Sequence, residues 1–90
     1  MEVYLVYVIY QYDGYDGTTV YGTKEKAIDA ADQLLFEFQQ DGFKINTDYA
    51  DEEDTFLTCF SELVNDGYVS IRLGNNRGEV EIIVERKQVI

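Results

Sequence analysis

The chain has 90 residues, no histidine, no proline, one cysteine, and eighteen acidic residues against seven basic ones, for a formal charge of −11. Such a charge repels nucleic acid and anionic membranes and favours a basic partner. A lone Cys59 excludes an intrachain disulfide and fits a reducing, cytoplasmic setting. With 46% apolar residues and 14% aromatics the chain has the composition of a folded protein, in spite of its charge, and its length suits one domain, 1–90.

Val3 to Tyr10 is an unbroken run of β-branched, aliphatic and aromatic residues. It predicts a central strand, covered on both faces or exposing tyrosines on one. Tyr4, Tyr10 and Tyr12 share a parity with Val6 and Val8, while Tyr7 points the other way. The run lacks a basic flank and is too short to cross a bilayer, so neither a secretory signal nor a membrane segment is expected. Asp13-Gly14 and Asp16-Gly17 are turn dipeptides, and Thr18 to Gly22 supplies the return strand of a hairpin with a longer loop.

Thr23 has the chemistry of a helix N-cap, with Lys26 where a capping box would place Glu. The helix it opens is expected from Lys24 to Gln40, stopped by Gly42. At about 100° per residue, Ala27, Ile28, Ala31, Leu34, Leu35 and Phe38 share one arc. Glu25, Asp29 and Asp32 share the opposite arc, with Phe36 in their midst. Phe43 to Tyr49 is a connector. Asp51-Glu52-Glu53-Asp54 then opens a second helix, its acids facing the positive end of the dipole and Asp51 with Asp54 as a capping pair. Phe56, Leu57, Phe60, Leu63 and Val64 form its apolar stripe, Cys59 is a small half-buried residue on it, and Gly67 ends it. Tyr68 to Leu73 and Glu79 to Arg86 are strands joined by the Gly74–Gly78 loop. In the last strand Val80, Ile82 and Val84 alternate with Glu79, Glu81 and Glu85, giving one buried and one acidic face. The order ββααββ predicts an α+β fold: a four-stranded antiparallel sheet with two helices packed on one face.

These residues favour binding over catalysis. Without histidine the usual acid–base and nucleophile arrangements are missing, and carboxylate pairs arise by chance among so many acids. No enzymatic activity and no cofactor are expected. Asp48, Asp51, Glu52 and Asp54, or Asp13 with Asp16, offer oxygen ligands to calcium or magnesium. Neither run has the spacing of a calcium loop, and capping and turn formation explain both. Tyrosines on a sheet can stack nucleobases, but that needs a basic surround; core packing or a protein contact suits them better. Glu25, Asp29 and Asp32 lie about 5–6 Å apart along one helix side. Glu79, Glu81 and Glu85 repeat at about 6.5–7 Å where they alternate along a strand. Such rows can stand in for phosphates in a basic groove, with Phe36 as an apolar anchor. As ordinary solvated faces they would have no such role.

The segment Val3-Tyr4-Leu5-Val6-Tyr7 through Tyr12-Asp13-Gly14-Tyr15, followed by Val20-Tyr21-Gly22-Thr23 and Glu25-Lys26-Ala27, resembles the opening of small uncharacterised bacterial and phage domains. The whole chain is similar in size, charge and element content to phage-encoded acidic inhibitors of host defence, the anti-CRISPR-like DNA mimics, although no motif is shared. That resemblance implies a phage or mobile-element inhibitor. It would occupy the DNA-binding cleft of a basic host nuclease, a CRISPR effector above all, in the host cytoplasm and without touching nucleic acid or membrane itself. The expected contacts are Glu25, Asp29, Asp32 and Phe36, then Asp51, Glu52, Glu53 and Asp54, and Glu79, Glu81 and Glu85. The alternative is an interaction or regulatory module using the tyrosine-rich strand, in a homodimer or with another partner.

Overall fold

Alternation decides how the first strand is used. In β1 (Glu2–Tyr10), Tyr4, Val6 and Val8 are buried while Leu5, Tyr7 and Ile9 between them keep some exposure. The computed structural model describes residues 1–11, 14, 15 and 17–89. After β1 come β2 (Gly14–Tyr15), β3 (Thr19–Tyr21), α1 (Lys24–Gln40), β4 (Lys44–Ile45), α2 (Phe60–Asp66), β5 (Tyr68–Asn75) and β6 (Gly78–Gln88). The sheet runs β2-β1-β6-β5-β4, with β3 sharing the β2 edge of β1, and every pairing is antiparallel. The first strand is therefore interior, as expected, and β6 occupies the middle of five lanes.

The α+β class holds, but the four-strand count and the ββααββ order need correction. The connector after α1 contains a strand: Lys44 and Ile45 pair with Gly74 and Leu73, and the Asn46 N–H continues the ladder to the Arg72 carbonyl at 2.8 Å. Burial of Ile45 against the core drives this pairing. At the opposite edge the return strand is split. Val6 is opposite Thr19 but Ile9 is opposite Tyr15, so the returning chain takes four residue steps where β1 takes three. An extra residue of this kind interrupts a ladder. The turn residues Asp13 and Asp16, and Tyr12, lie outside the described residues.

One core joins the layers. Tyr4, Val6 and Val8 of β1, Val80, Ile82 and Val84 of β6, and Val69, Ile71 and Leu73 of β5 all face the helices. Ala27, Ile28, Ala31 and Leu35 of α1 and Leu63 of α2 close over them, so both helices lie on one face of the sheet. The first helix has its expected bounds, and the Lys26 N–H donates to Thr23 Oγ1 at 3.3 Å. The β5–β6 hairpin is tighter than Gly74–Gly78, because Asn75 pairs with Gly78 and only Asn76 and Arg77 remain in the loop.

The second helix begins nine residues later than expected, at Phe60. The Asp54 carboxylate does cap Asp51, but around a turn: the Asp51 N–H donates to Asp54 Oδ2 at 2.9 Å, the Asp54 N–H to the Asp51 backbone carbonyl at 3.0 Å, and the Glu53 N–H to Asp51 Oδ1 at 3.2 Å. Thr55 and Thr58 then cap one another, each backbone N–H donating to the other's hydroxyl at 2.8 and 3.1 Å. Side-chain acceptors of this kind compete with the helix for the same N–H groups. Cys59 therefore sits at the N-cap, half-buried, and burial pushes its thiol pKa up. Phe56 and Leu63 are fully buried, whereas Leu57 and Val64 of the expected stripe are exposed. Gly67 ends α2 at φ 73°, and a Cβ there would come within 3.1 Å of Arg86 Nη2. Arg86 Nη1 donates to the Val64 carbonyl at 3.3 Å, so a cation from β6 serves a helix end that has no basic residue of its own.

Candidate protein-interaction surfaces

The acidic residues separate by layer. Twelve of the eighteen lie between Lys24 and Asp66, the stretch that carries both helices and the short strand β4, against three lysines, Lys24, Lys26 and Lys44. Glu25 and Asp29 are exposed on the outer side of α1. Phe36, on the same side, is 55% exposed. Asp51, Glu52 and Glu53 are exposed and Asp54 half-exposed in the turn before α2. Glu52 and Glu53 line a depression with Gln39, Phe43 and Lys44 at the far end of α1.

From there the chain runs back along α1. Phe56 and Leu57 meet Asp32, and the Phe60 ring lies 5.6 Å from Lys24 Nζ. The α1 acids and the Asp51–Asp54 turn therefore belong to one side of the molecule.

Asp32 differs from its neighbours. Its Oδ1 accepts the Phe56 N–H at 2.7 Å and its Oδ2 the Leu57 N–H at 3.3 Å. A carboxylate expected to face solvent instead fixes the segment that leads into α2, which leaves it less available to a partner. Its geometry brings a further residue to the surface. Leu57 is 67% exposed beside Asp32, and Phe36 is one helical turn beyond Asp32, so two apolar side chains flank one carboxylate among the acids. Sequence reasoning placed Leu57 in a buried stripe because it began the helix at Asp51.

Glu79, Glu81 and Glu85 lie on the other side of the sheet and do not join the helical acids. Their row is also less acidic than it reads. Arg72 Nε is 3.5 Å from Glu81 Oε2 and Lys87 Nζ is 3.9 Å from Glu85 Oε1, the two ion pairs found among the described residues. Arg72 also lies 4.4 Å from the centre of the Tyr49 ring. Between the two glutamates sits Ile83, only 2% exposed although α1 and α2 pack on the opposite face. Tyr7 and Ser70 flank it across the strands, and Tyr68 and Arg72 lie diagonally. Tyr7 follows the parity read from the sequence, and burial pushes its hydroxyl pKa up.

Among the described residues no group of three or more acidic or cysteine side chains is arranged to hold a metal ion, and Asp48, Asp51, Glu52 and Asp54 do not converge. Among them, too, no helix is long and apolar enough to cross a membrane. Comparison with protein-family models, curated proteins and solved structures finds no match for this chain.

Proposed function

We propose that the protein works by binding, as an acidic ligand for a basic, nucleic-acid-binding surface of another protein. The segregation of charge carries this reading. Twelve acids fall in the stretch from Lys24 to Asp66 that carries both helices, and the outer side of the helices includes two exposed apolar residues, Phe36 and Leu57. Carboxylates spaced along a helix and a turn can replace phosphates in a groove that normally accepts DNA, and apolar anchors add contact area that charge alone does not give. The contact set is Glu25, Asp29, Phe36 and Leu57 with the Asp51–Asp54 turn. Asp32 supports this surface, and Glu79, Glu81 and Glu85 stand apart from it. By the resemblance of size and charge, the specific reading is a phage or mobile-element inhibitor of a host defence nuclease, with a CRISPR effector as the partner to try first.

The test is binding to an immobilised RNA-guided DNA nuclease across a salt series, with duplex DNA or heparin as competitor. Binding should weaken as salt rises, and both competitors should displace the protein. The triple variant Glu25→Lys, Asp29→Lys and Glu52→Lys should abolish binding while the fold, followed by circular dichroism, is kept. Reversing Asp32 is avoided because it would also release Phe56 and Leu57. Binding that survives the triple variant, or that DNA leaves untouched, overturns the assignment.

A further inference from the structure

The sheet face opposite the two helices contrasts in charge with the helical side. Its apolar centre is Leu5, Tyr7 and Ile9 of β1 with Ile83 of β6, and Tyr68 of β5 borders them. The strand register places Arg72 and Lys87 on this face, together with Glu79, Glu81 and Glu85. Two cations offset two of the three anions, on a molecule whose overall charge is −11. Two copies that met through their helical layers would oppose like charges, whereas through this face they meet at a nearly balanced surface. With lanes about 4.8 Å apart and a rise of about 3.4 Å per residue, the three long strands and the short edge strands together make a face of roughly 570 Å². That is about seven-tenths of the ~800 Å² that each partner contributes to a standard interface, and it suits a reversible dimer.

We infer that this face is a self-association surface, occupied by the same face of a second copy related by a two-fold axis along the cross-strand row Tyr7–Ile83–Ser70. The register makes the face complementary to itself under that rotation. On one side of the row lie Leu5, Glu85 and Tyr68, then Val3 and Lys87; on the other lie Ile9, Glu81 and Arg72, then Glu79. The rotation sets Leu5 over the second copy's Ile9 and Lys87 over its Glu79, with Tyr68 facing the corner where Arg72 stacks on Tyr49. The first two are an aliphatic pair and an ion pair, each made twice, as an isologous interface requires. Glu85 then faces Glu81 of the second copy, and each of these carboxylates has its own cation in Lys87 or Arg72. The two sheets stack into a four-layer sandwich with both acidic helical layers pointing outward, so self-association leaves the surface of the proposed function free.

Sedimentation equilibrium on the full chain without any partner tests this, independently of the nuclease experiment. The expected mass at about 100 µM is twice the 10.4 kDa chain, with a dissociation constant that Ile9→Lys weakens at least about tenfold. Lys87→Glu alone and Glu79→Lys alone should each weaken the dimer by a few-fold, and the two together in one chain should restore it, because each copy's residue 87 meets the other's residue 79. Thermal melts confirm that each variant is folded. A chain that stays monomeric at that concentration overturns the inference. So does a dimer indifferent to Ile9→Lys, and failure of the double swap to restore association overturns the two-fold arrangement.

Discussion

Asp32 shows how one carboxylate can change role between sequence and structure. On a helical projection it is a solvent acid equivalent to Asp29, yet it holds two backbone N–H groups from a segment 24 residues away. Hydrogen bonds to a charged acceptor contribute more than neutral ones, so Asp32→Ala should lower the unfolding free energy by about 2 kcal/mol, Asp32→Asn by about half that, and Asp29→Ala by less than about 0.5 kcal/mol. Urea titration of the three variants checks the ranking; equal effects at 29 and 32 would refute it. Two tyrosines give a second residue-level prediction. Burial, reinforced by Glu2 for Tyr4 and by Glu85 for Tyr7, raises both hydroxyls above the ordinary 10.0. The unfolded chain therefore ionises first. The stability linked to keeping these hydroxyls neutral is fully present below about pH 10 and is lost as pH rises beyond it. Urea midpoints should fall between pH 10 and pH 11 by less in Tyr4→Phe and Tyr7→Phe than in the parent, and identical declines would contradict this assignment.

At the scale of elements, what the sequence revealed depended on whether the deciding interactions were local. α1 was legible because Thr23, the apolar arc from Ala27 to Phe38, and Gly42 are all signals within a few residues of what they control. The last strand was legible because Val80, Ile82 and Val84 alternate with acids. The start of α2 was not. Asp51 to Asp54 looks like a capped first turn, and those residues do hydrogen-bond to each other, but the next N–H groups are taken by Asp32, Thr58 and Thr55 instead of feeding a helix. Asp32 is remote in sequence, so no window centred on residue 54 contains it. β4 escaped for a related reason: two residues carry no period, and only Leu73 and Gly74 across the ladder make Lys44 and Ile45 a strand. The candidate surface inherited these errors. Glu25, Asp29 and Phe36 were placed correctly on one helix side, Leu57 was hidden by the misplaced helix, and the Glu79–Glu85 row was credited with a charge that Arg72 and Lys87 partly cancel. Pairing across strands decided that last point, and composition along one strand could not supply it.

At the scale of the whole molecule, the uneven distribution of charge makes ionic strength a test. Twelve acids in the stretch from Lys24 to Asp66, against three lysines, leave a net repulsion among them, while the opposite sheet face is nearly balanced. The Debye length falls from about 10 Å at 0.1 M salt to about 3 Å at 1 M, so added salt relieves repulsion between surface acids. It also weakens the exposed Arg72–Glu81 and Lys87–Glu85 pairs, but such pairs contribute little to stability. Repulsion therefore dominates, and the melting temperature should rise as sodium chloride increases. Measuring at a fixed protein concentration keeps any self-association from being mistaken for a salt effect. Replacing Glu52 and Glu53 by lysine removes repulsion at its densest point, the Asp51–Asp54 turn, without touching the Asp51–Asp54 or Asp32 hydrogen bonds. That variant should melt higher than the parent at low salt and respond less to added salt. A parent melting temperature that falls steadily with salt would mean that attraction, and not repulsion, governs the electrostatics of this fold.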